Sequence, residues 1–294
     1  MNTAGRYIAG MFTAAAAVAA LSSCDLSWKN SGDTFSPHLV VEGWIYDNDY
    51  PRIIVSQAIA FDPSDPEENI ALRDIPVRWA KVTVSDGVTE EVMVGRADDD
   101  YFPPFVYTGS EIMGKPGGTY TLKVEYSGET LTGTTTIPEK VEIEDISYSV
   151  SPECDTLYSV SLTFRDRPGY GDKYKVFVKV YPDDTRFYSA FLGTFSDEAI
   201  GLDGIGRVTV YRSFHNIDRA DYTPYFRVGE TVEVMLTRLP EDGFNFWIDY
   251  ENDVTNGRNP MFPSVSDLRS NVSGGVGIWC GYAIDTKSVL IEGD

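Results

Sequence analysis

From Leu39 onward the chain alternates between apolar and polar residues with a period of two. In "GGTYTLKVEYSGETLTGTTTIP" (Gly117 to Pro138), Tyr120, Leu122, Val124 and Tyr126 alternate with Thr121, Lys123 and Glu125. Successive side chains of a strand point to opposite faces, so this pattern demands extended backbone and would scatter apolar groups around a helix. Ser127-Gly128 then turns the chain into a partner strand, which predicts a hairpin. "LVVEGWIY" (Leu39 to Tyr46), "PRIIVSQAIA" (Pro51 to Ala60) and "VRWAKVTVSDG" (Val77 to Gly87) are β-branched runs between turn residues. Later come Ile146, Tyr148 and Val150, then Tyr158, Val160, Leu162 and Phe164, then Tyr174, Val176, Val178 and Val180. All read as half-buried antiparallel strands.

Pro138 ends one such strand, and the charged segment "EKVEIED" (Glu139 to Asp145) is the expected domain boundary. About six strands in residues 38–139 describe an immunoglobulin-like β-sandwich. Residues 140–294 are expected to form a larger antiparallel β domain with one helix near 240–256. There Pro240 suits a first helical position, Glu241 and Asp242 favour the positive end, and Asn256-Gly257 can close the element. The fold class is therefore mainly β.

The start of the chain follows a different logic. Arg6 precedes a largely apolar tract, Tyr7 to Ser23, that closes on Leu21-Ser22-Ser23-Cys24 and turns polar at once. A charged start, an apolar core and small residues describe an export signal rather than a spanning helix. Leu-Ser-Ser-Cys resembles a bacterial lipobox, which makes residues 1–23 the signal, Cys24 the lipidated residue and 24–37 a tether to a membrane.

Charge narrows the partners. With 24 Lys+Arg against 45 Asp+Glu the formal net charge is −21. Such a surface repels phosphate backbones, and the densest basic cluster, Lys173, Lys175 and Lys179, is no stripe. Nucleic acid is excluded as a partner on that ground. Two acidic loops have the oxygens calcium wants: Asp62, Asp65 and Glu67 in "DPSDPEEN", and Asp98, Asp99 and Asp100 in "ADDDYF". Neither has EF-hand spacing, and solvated turns are the alternative reading; no other cofactor is expected.

Cys154 and Cys280 are the two cysteines left beside Cys24. In an exported chain they form either a disulfide, contributing up to about 5 kcal/mol by chain entropy, or two separate thiols. Only His38 and His215 could serve a Ser-His or Cys-His constellation, and no hydrolase elbow, zinc-protease, Walker or dinucleotide motif is present. A carboxylate-based glycan hydrolase needs only two acids and is the enzymatic alternative; a non-catalytic protein is the expectation. Aromatic residues gather in "RFYSAF" (Arg186 to Phe191), "DYTPYF" (Asp221 to Phe226) and "FNFWIDY" (Phe244 to Tyr250). Rings with polar tips stack on a glycan or grip a peptide, so Tyr222, Tyr225 and Phe226 are expected either to form a binding lip or to roof the core.

Several segments together resemble a known family: "LVVEGWIYDNDYPRIIVSQ", "AKVTVSDG", the hairpin above, and the ending "NPMFPSVSDLRSNVSGGVGIWCGYA" (Asn259 to Ala283). In that ending Ser270-Asn271, Gly274-Gly275, Gly277, Trp279, Gly281 and Tyr282 fit the pattern of domain of unknown function 4249, while Cys280 departs from it. The resemblance implies an outer-membrane lipoprotein of Bacteroidetes-type bacteria, often encoded beside a TonB-dependent receptor. It implies no reaction and no catalytic residues. The expected function is a binding or accessory component of a TonB-dependent nutrient-uptake system, on the periplasmic or the outer side of the membrane. The alternative is a surface adhesion or envelope-structural protein.

Overall fold

The last long strand of the chain lies beside the first one, and this pairing organises the molecule. The computed structural model describes residues 38–58, 75–166, 169, 171–200, 204–214, 222–256 and 268–293. The signal, Cys24, the tether, the loop carrying Asp62, Asp65 and Glu67, and His215 fall outside them.

The first half comprises β1 (Leu39–Tyr46), β2 (Arg52–Gln57), β3 (Lys81–Ser85), β4 (Glu90–Val92), β5 (Val94–Ala97), β6 (Phe105–Thr108), β7 (Thr119–Tyr126) and β8 (Glu129–Thr136). The second comprises β9 (Ile143–Val150), β10 (Tyr158–Arg165), β11 (Lys173–Tyr181), β12 (Tyr188–Ser196), β13 (Ile205–Val210) and β14 (Thr231–Arg238). The helix α1 (Glu241–Asn256), β15 (Val272–Ser273) and β16 (Val276–Leu290) complete it. The protein is mainly β with one α-helix, and the helix covers the segment that Pro240 and the acidic first turn indicate.

Eight strands form one sheet in the order β12-β11-β14-β16-β1-β2-β6-β5. The 15-residue β16 makes this continuous by changing partner along its length. Val276 to Tyr282 pair in parallel with β1, and Ala283 to Leu290 pair antiparallel with β14. Every other strand pair among the described residues is antiparallel. Strands from both sides of the expected boundary near 139 thus share one spine.

Facing residues on paired strands point the same way, and the register sorts the spine's two faces. On one face lie two cores. The first joins Leu39, Val41 and Ile45 of β1 to Val82, Leu122, Val124 and Leu131 of a five-stranded sheet ordered β15-β8-β7-β3-β4. The second joins Tyr174, Val176, Val232, Val234 and Leu236 to Val160, Leu162 and Phe164 of a three-stranded sheet ordered β13-β10-β9. Both cores take residues from the chain's end, Trp279 in the first and Ile291 in the second. Each fully buried apolar side chain contributes roughly 1.5–3 kcal/mol, so both sandwiches depend on a segment nearly 300 residues from the start.

The glycine-rich approach to β16 has a steric cause. At Gly277, φ is +133° and an added Cβ would stand 1.9 Å from the Val41 carbonyl oxygen. β15 pairs with β8 in the five-stranded sheet, and four residues later β16 is in the spine; only a residue without a side chain can pass β1 this closely. The hairpin turn between β7 and β8 has φ of 51° at Ser127 and 86° at Gly128, the paired positive values of a tight two-residue hairpin turn.

On the opposite face of the spine, α1 packs across β11, β12 and β16. Its first turn approaches closely because Gly243 sits over Cys280: a Cβ there would lie 2.4 Å from Cys280 Sγ. Phe244 and Trp247 join Phe177, Met235, Ile278, Cys280 and Tyr282 in a third apolar cluster.

Candidate ligand-binding site

Beside α1, on the same face of the spine, lies a cavity of about 190 Å³. Its floor is built by alternation: Glu42, Trp44 and Tyr46 project from β1, Ile278 and Tyr282 from β16, and Phe177 from β11. The register Glu42↔Ile278 and Tyr46↔Tyr282 places these neighbours on a common face. The walls come from Arg186, Phe187 and Tyr188 at the start of β12 and from Phe246, Trp247 and Tyr250 of α1. Helical spacing brings Phe246, Trp247 and Tyr250 round to one side, since residues three and four apart are neighbours on a helix.

The rings hold one another. Trp247 meets Phe177 edge-on with centroids 5.3 Å apart, and its Nε1 donates to the Tyr282 hydroxyl at 3.0 Å. Tyr46 lies 5.5 Å from Tyr282, and Trp44 lies 5.6 Å from Tyr101. Tilted and edge-to-face pairs of this kind are worth about 0.5–1.5 kcal/mol each beyond the area they bury, so the site is preorganised.

Two opposite charges stand among these rings. Glu42 is open to solvent by way of the cavity yet surrounded by protein, and the surrounding protein raises its carboxyl pKa, with the Arg186 charge working the other way. The Arg186 guanidinium lies 4.9 Å from the centroids of both Tyr101 and Tyr188. Its Nε is buried and has no hydrogen-bond acceptor. Burial also pushes up the phenols of Tyr46, Tyr101, Tyr250 and Tyr282. All four stay protonated at neutral pH and can donate.

Under the cavity, Lys175 on β11 has no exposed surface. Its Nζ donates to Glu251 Oε1 of α1 at 2.5 Å and lies 4.9 Å from the Trp247 ring centroid. Thr194 Oγ1 donates to the same carboxylate at 2.7 Å. The helix that forms one wall is thus tied to the sheet by a buried ion pair as well as by its apolar stripe.

The other residues singled out by sequence lie elsewhere. Phe226 has no exposed surface and Tyr225 is 7% exposed; Phe226 belongs to the second core, where its backbone bridges to Tyr158. A ligand would not reach Phe226, so the proposed lip is corrected at that residue. Tyr222 stacks 3.9 Å from Phe214 and donates to the Arg212 carbonyl at 2.7 Å. Asp98 accepts from the Asp100 amide and pairs with Arg96, both at 3.2 Å, and Asp100 accepts from Thr185 at 3.2 Å. Asp98, Asp99 and Asp100 therefore do not converge on a common point, and among the described residues no group of three or more His, Cys, Asp or Glu is placed to hold a metal ion. Cys154 and Cys280 are separate thiols. Cys154 meets Thr156 at 3.1 Å in the turn between β9 and β10, while Cys280 is buried under α1.

Two of the three aromatic clusters visible in the sequence, those at 186–191 and 244–250, do meet at the cavity. The residues that sequence reasoning passed over are Glu42, Trp44 and Tyr46. The signal was present in "VEGWIY": its odd positions are apolar or small and feed the core, while its even positions carry a carboxylate, an indole and a phenol.

Comparison with known proteins bears on lineage. A family model described as Domain of unknown function (DUF4249) matches residues 29–288. The chain belongs to that family. No curated protein matches it. Among solved structures, it is similar to a chain from one titled "Cytokine receptor complex - Crystal form 2", with 10% identity over 69% of this chain and 92% of that one. The TM-score is 0.22, and a likeness of that size carries no argument.

Proposed function

We propose that this protein is a lipid-anchored, non-catalytic binding component of the outer membrane that serves a TonB-dependent receptor in nutrient uptake, with the Glu42–Arg186 cavity as its ligand contact. The observation that carries the binding role is the cavity itself: aromatic rings around a solvent-open carboxylate, Glu42, and a guanidinium, Arg186, whose buried Nε has no acceptor. Polar groups left unpaired among apolar walls are costly unless something arrives to pair them. The anchor rests on Leu21-Ser22-Ser23-Cys24 following an apolar tract. Each acyl methylene buried in a bilayer adds about 0.8 kcal/mol, and two or more chains hold a protein stably. The receptor partnership rests on the family resemblance.

Expression of the full chain in a Gram-negative host tests the address. Mass spectrometry of the membrane fraction is expected to show an acylated Cys24 at the start of the mature protein, and Cys24→Ser is expected to release it; a bare thiol on an uncleaved chain refutes the anchor. Co-purification from native membranes tests the partnership, which fails if the protein emerges without a TonB-dependent receptor.

A further inference from the structure

We infer that the cavity receives one ring of a neutral saccharide, whose hydroxyls donate to the Glu42 carboxylate and accept from the Arg186 guanidinium while its C–H face lies on the aromatic walls. This deepens the binding role proposed above and rests on it. The charge balance of the site is the first argument. One carboxylate and one guanidinium line the cavity, so a ligand of either net charge meets repulsion from one of them in surroundings of low dielectric. A neutral ligand meets none.

Hydrogen-bonding capacity is the second argument. The Glu42 carboxylate is open to solvent at the cavity, and Arg186 Nε is buried without an acceptor. A purely apolar ligand would strip the Glu42 carboxylate of water without repaying it, and would leave the Arg186 guanidinium without an acceptor. A hydroxyl is donor and acceptor at once, so neighbouring hydroxyls on one ring satisfy both groups. A zwitterion also matches both, but must lose the water from two charges of its own, a cost that close pairing often fails to recover. Size and walls supply the third argument. A volume of 190 Å³ is that of about six waters, room for one six-membered ring with its substituents. Ring faces carry negative potential and attract polarised C–H groups; Trp44, Tyr188 and Trp247 are among the rings that line the cavity.

The full chain in a sugar-free detergent is titrated with glucose, galactose, mannose, N-acetylglucosamine and maltose. Glucuronate, glucosamine, phenylalanine and the dipeptide Gly-Phe serve as charged and zwitterionic probes, read by calorimetry and tryptophan fluorescence. At least one neutral sugar is expected to saturate with Kd in the millimolar range or below. Glu42→Gln and Arg186→Met are each expected to weaken it about tenfold or more, the usual scale for a hydrogen bond to a charged group. Cys154→Ser, far from the cavity, is expected to bind as the parent does. The saccharide assignment is overturned if no neutral sugar binds, or if binding survives both substitutions. Should phenylalanine or Gly-Phe bind instead and depend on Glu42 and Arg186, the ligand class is wrong and the cavity reading stands. Silence from every probe overturns both.

Discussion

The pair formed by Lys175 and Glu251 should give the protein an unusual dependence of stability on pH. Burial lowers the Lys175 pKa from 10.5 to about 8, against the pull of the Glu251 charge. Between these values the unfolded chain binds a proton that the folded chain does not, so folding stability rises with pH across that interval. Taking 10.5 and about 8 as the two values, the contribution grows by about 1 kcal/mol from pH 7 to pH 9. Deprotonation of the unfolded chain's tyrosines and of Cys280, whose thiol burial pushes up to about 12, opposes this as pH climbs. Those groups are shared with a Lys175→Met/Glu251→Leu double variant, so the difference between the two proteins isolates the pair.

Urea unfolding followed by tryptophan fluorescence at pH 7, 8 and 9 measures it. The parent should gain about 1 kcal/mol on the double variant across that range. The double variant itself should be as stable as the parent at pH 7 or more so, because removing both charges also removes their desolvation cost. Glu251→Gln alone leaves a buried cation without its partner, which costs about 3 kcal/mol at pH 7 and less at pH 9, where Lys175 can lose its proton. Parallel pH profiles for parent and double variant would refute the reasoning.

Other substitutions read out separate parts of the fold. Glu91, 6% exposed, accepts from the backbone N–H groups of Ser110, Glu111 and Ile112; Glu91→Ala should cost about 3 kcal/mol in urea unfolding, most of it from the buried Ile112 amide. Those amides hold its carboxyl below the usual 4.5 despite its burial, so the stabilisation is present above that value and is lost as pH falls through the lowered one; Glu91→Gln should lack this acid sensitivity. Gly277→Ala should cost about 3 kcal/mol or more, from the positive φ and the clash with the Val41 carbonyl, and circular dichroism with thermal melting would show it. In the native state a thiol reagent should modify Cys154, whose pKa the Thr156 hydroxyl and backbone lower, and reach buried Cys280 only on unfolding; equal rates at both positions would contradict the burial of Cys280.

The strands were legible because alternation is a local signal. The residues of β7 report their own side of the sheet: of the apolar set Tyr120, Leu122, Val124 and Tyr126, the first three are buried and Tyr126, at the strand's end, is half-buried. Helix α1 was legible from Pro240 and its acidic first turn for the same reason. What was not legible is which strands become neighbours. No local property of "VGIWCGYA" states that Val276 to Tyr282 will pair with β1 while the residues after them pair with β14. The cavity was hidden by that same limit. "RFYSAF" and "FNFWIDY" were visible as aromatic clusters, but only the folded sheet brings them to Glu42 and Trp44. "DYTPYF" carries the same composition and ends in the second core, since composition does not say which face of a sheet a ring will take.

The placement of the cavity has a thermodynamic consequence. Its floor joins β1 to β16, whose paired residues Glu42 and Ile278 are more than 200 positions apart, and β16 with the residue that follows it closes both sandwich cores, through Trp279 in the strand and Ile291 just past its end. Contacts this distant in sequence form only once the whole spine is assembled, and their loop-closure entropy is paid by the entire fold. The site therefore has no partly folded version: a state that loses β16 loses the cavity, the first core's Trp279 and the second core's Ile291 together. A ligand that binds only the assembled state stabilises the fold against global unfolding by RT ln(1 + [L]/Kd), about 2.7 kcal/mol at a hundredfold excess over Kd. Hydrogen exchange should then show protection rising in β7, β10 and β14 as much as at the cavity wall. A rise confined to α1 and β12 would mean that the helix face opens independently of the spine, and would refute this coupling.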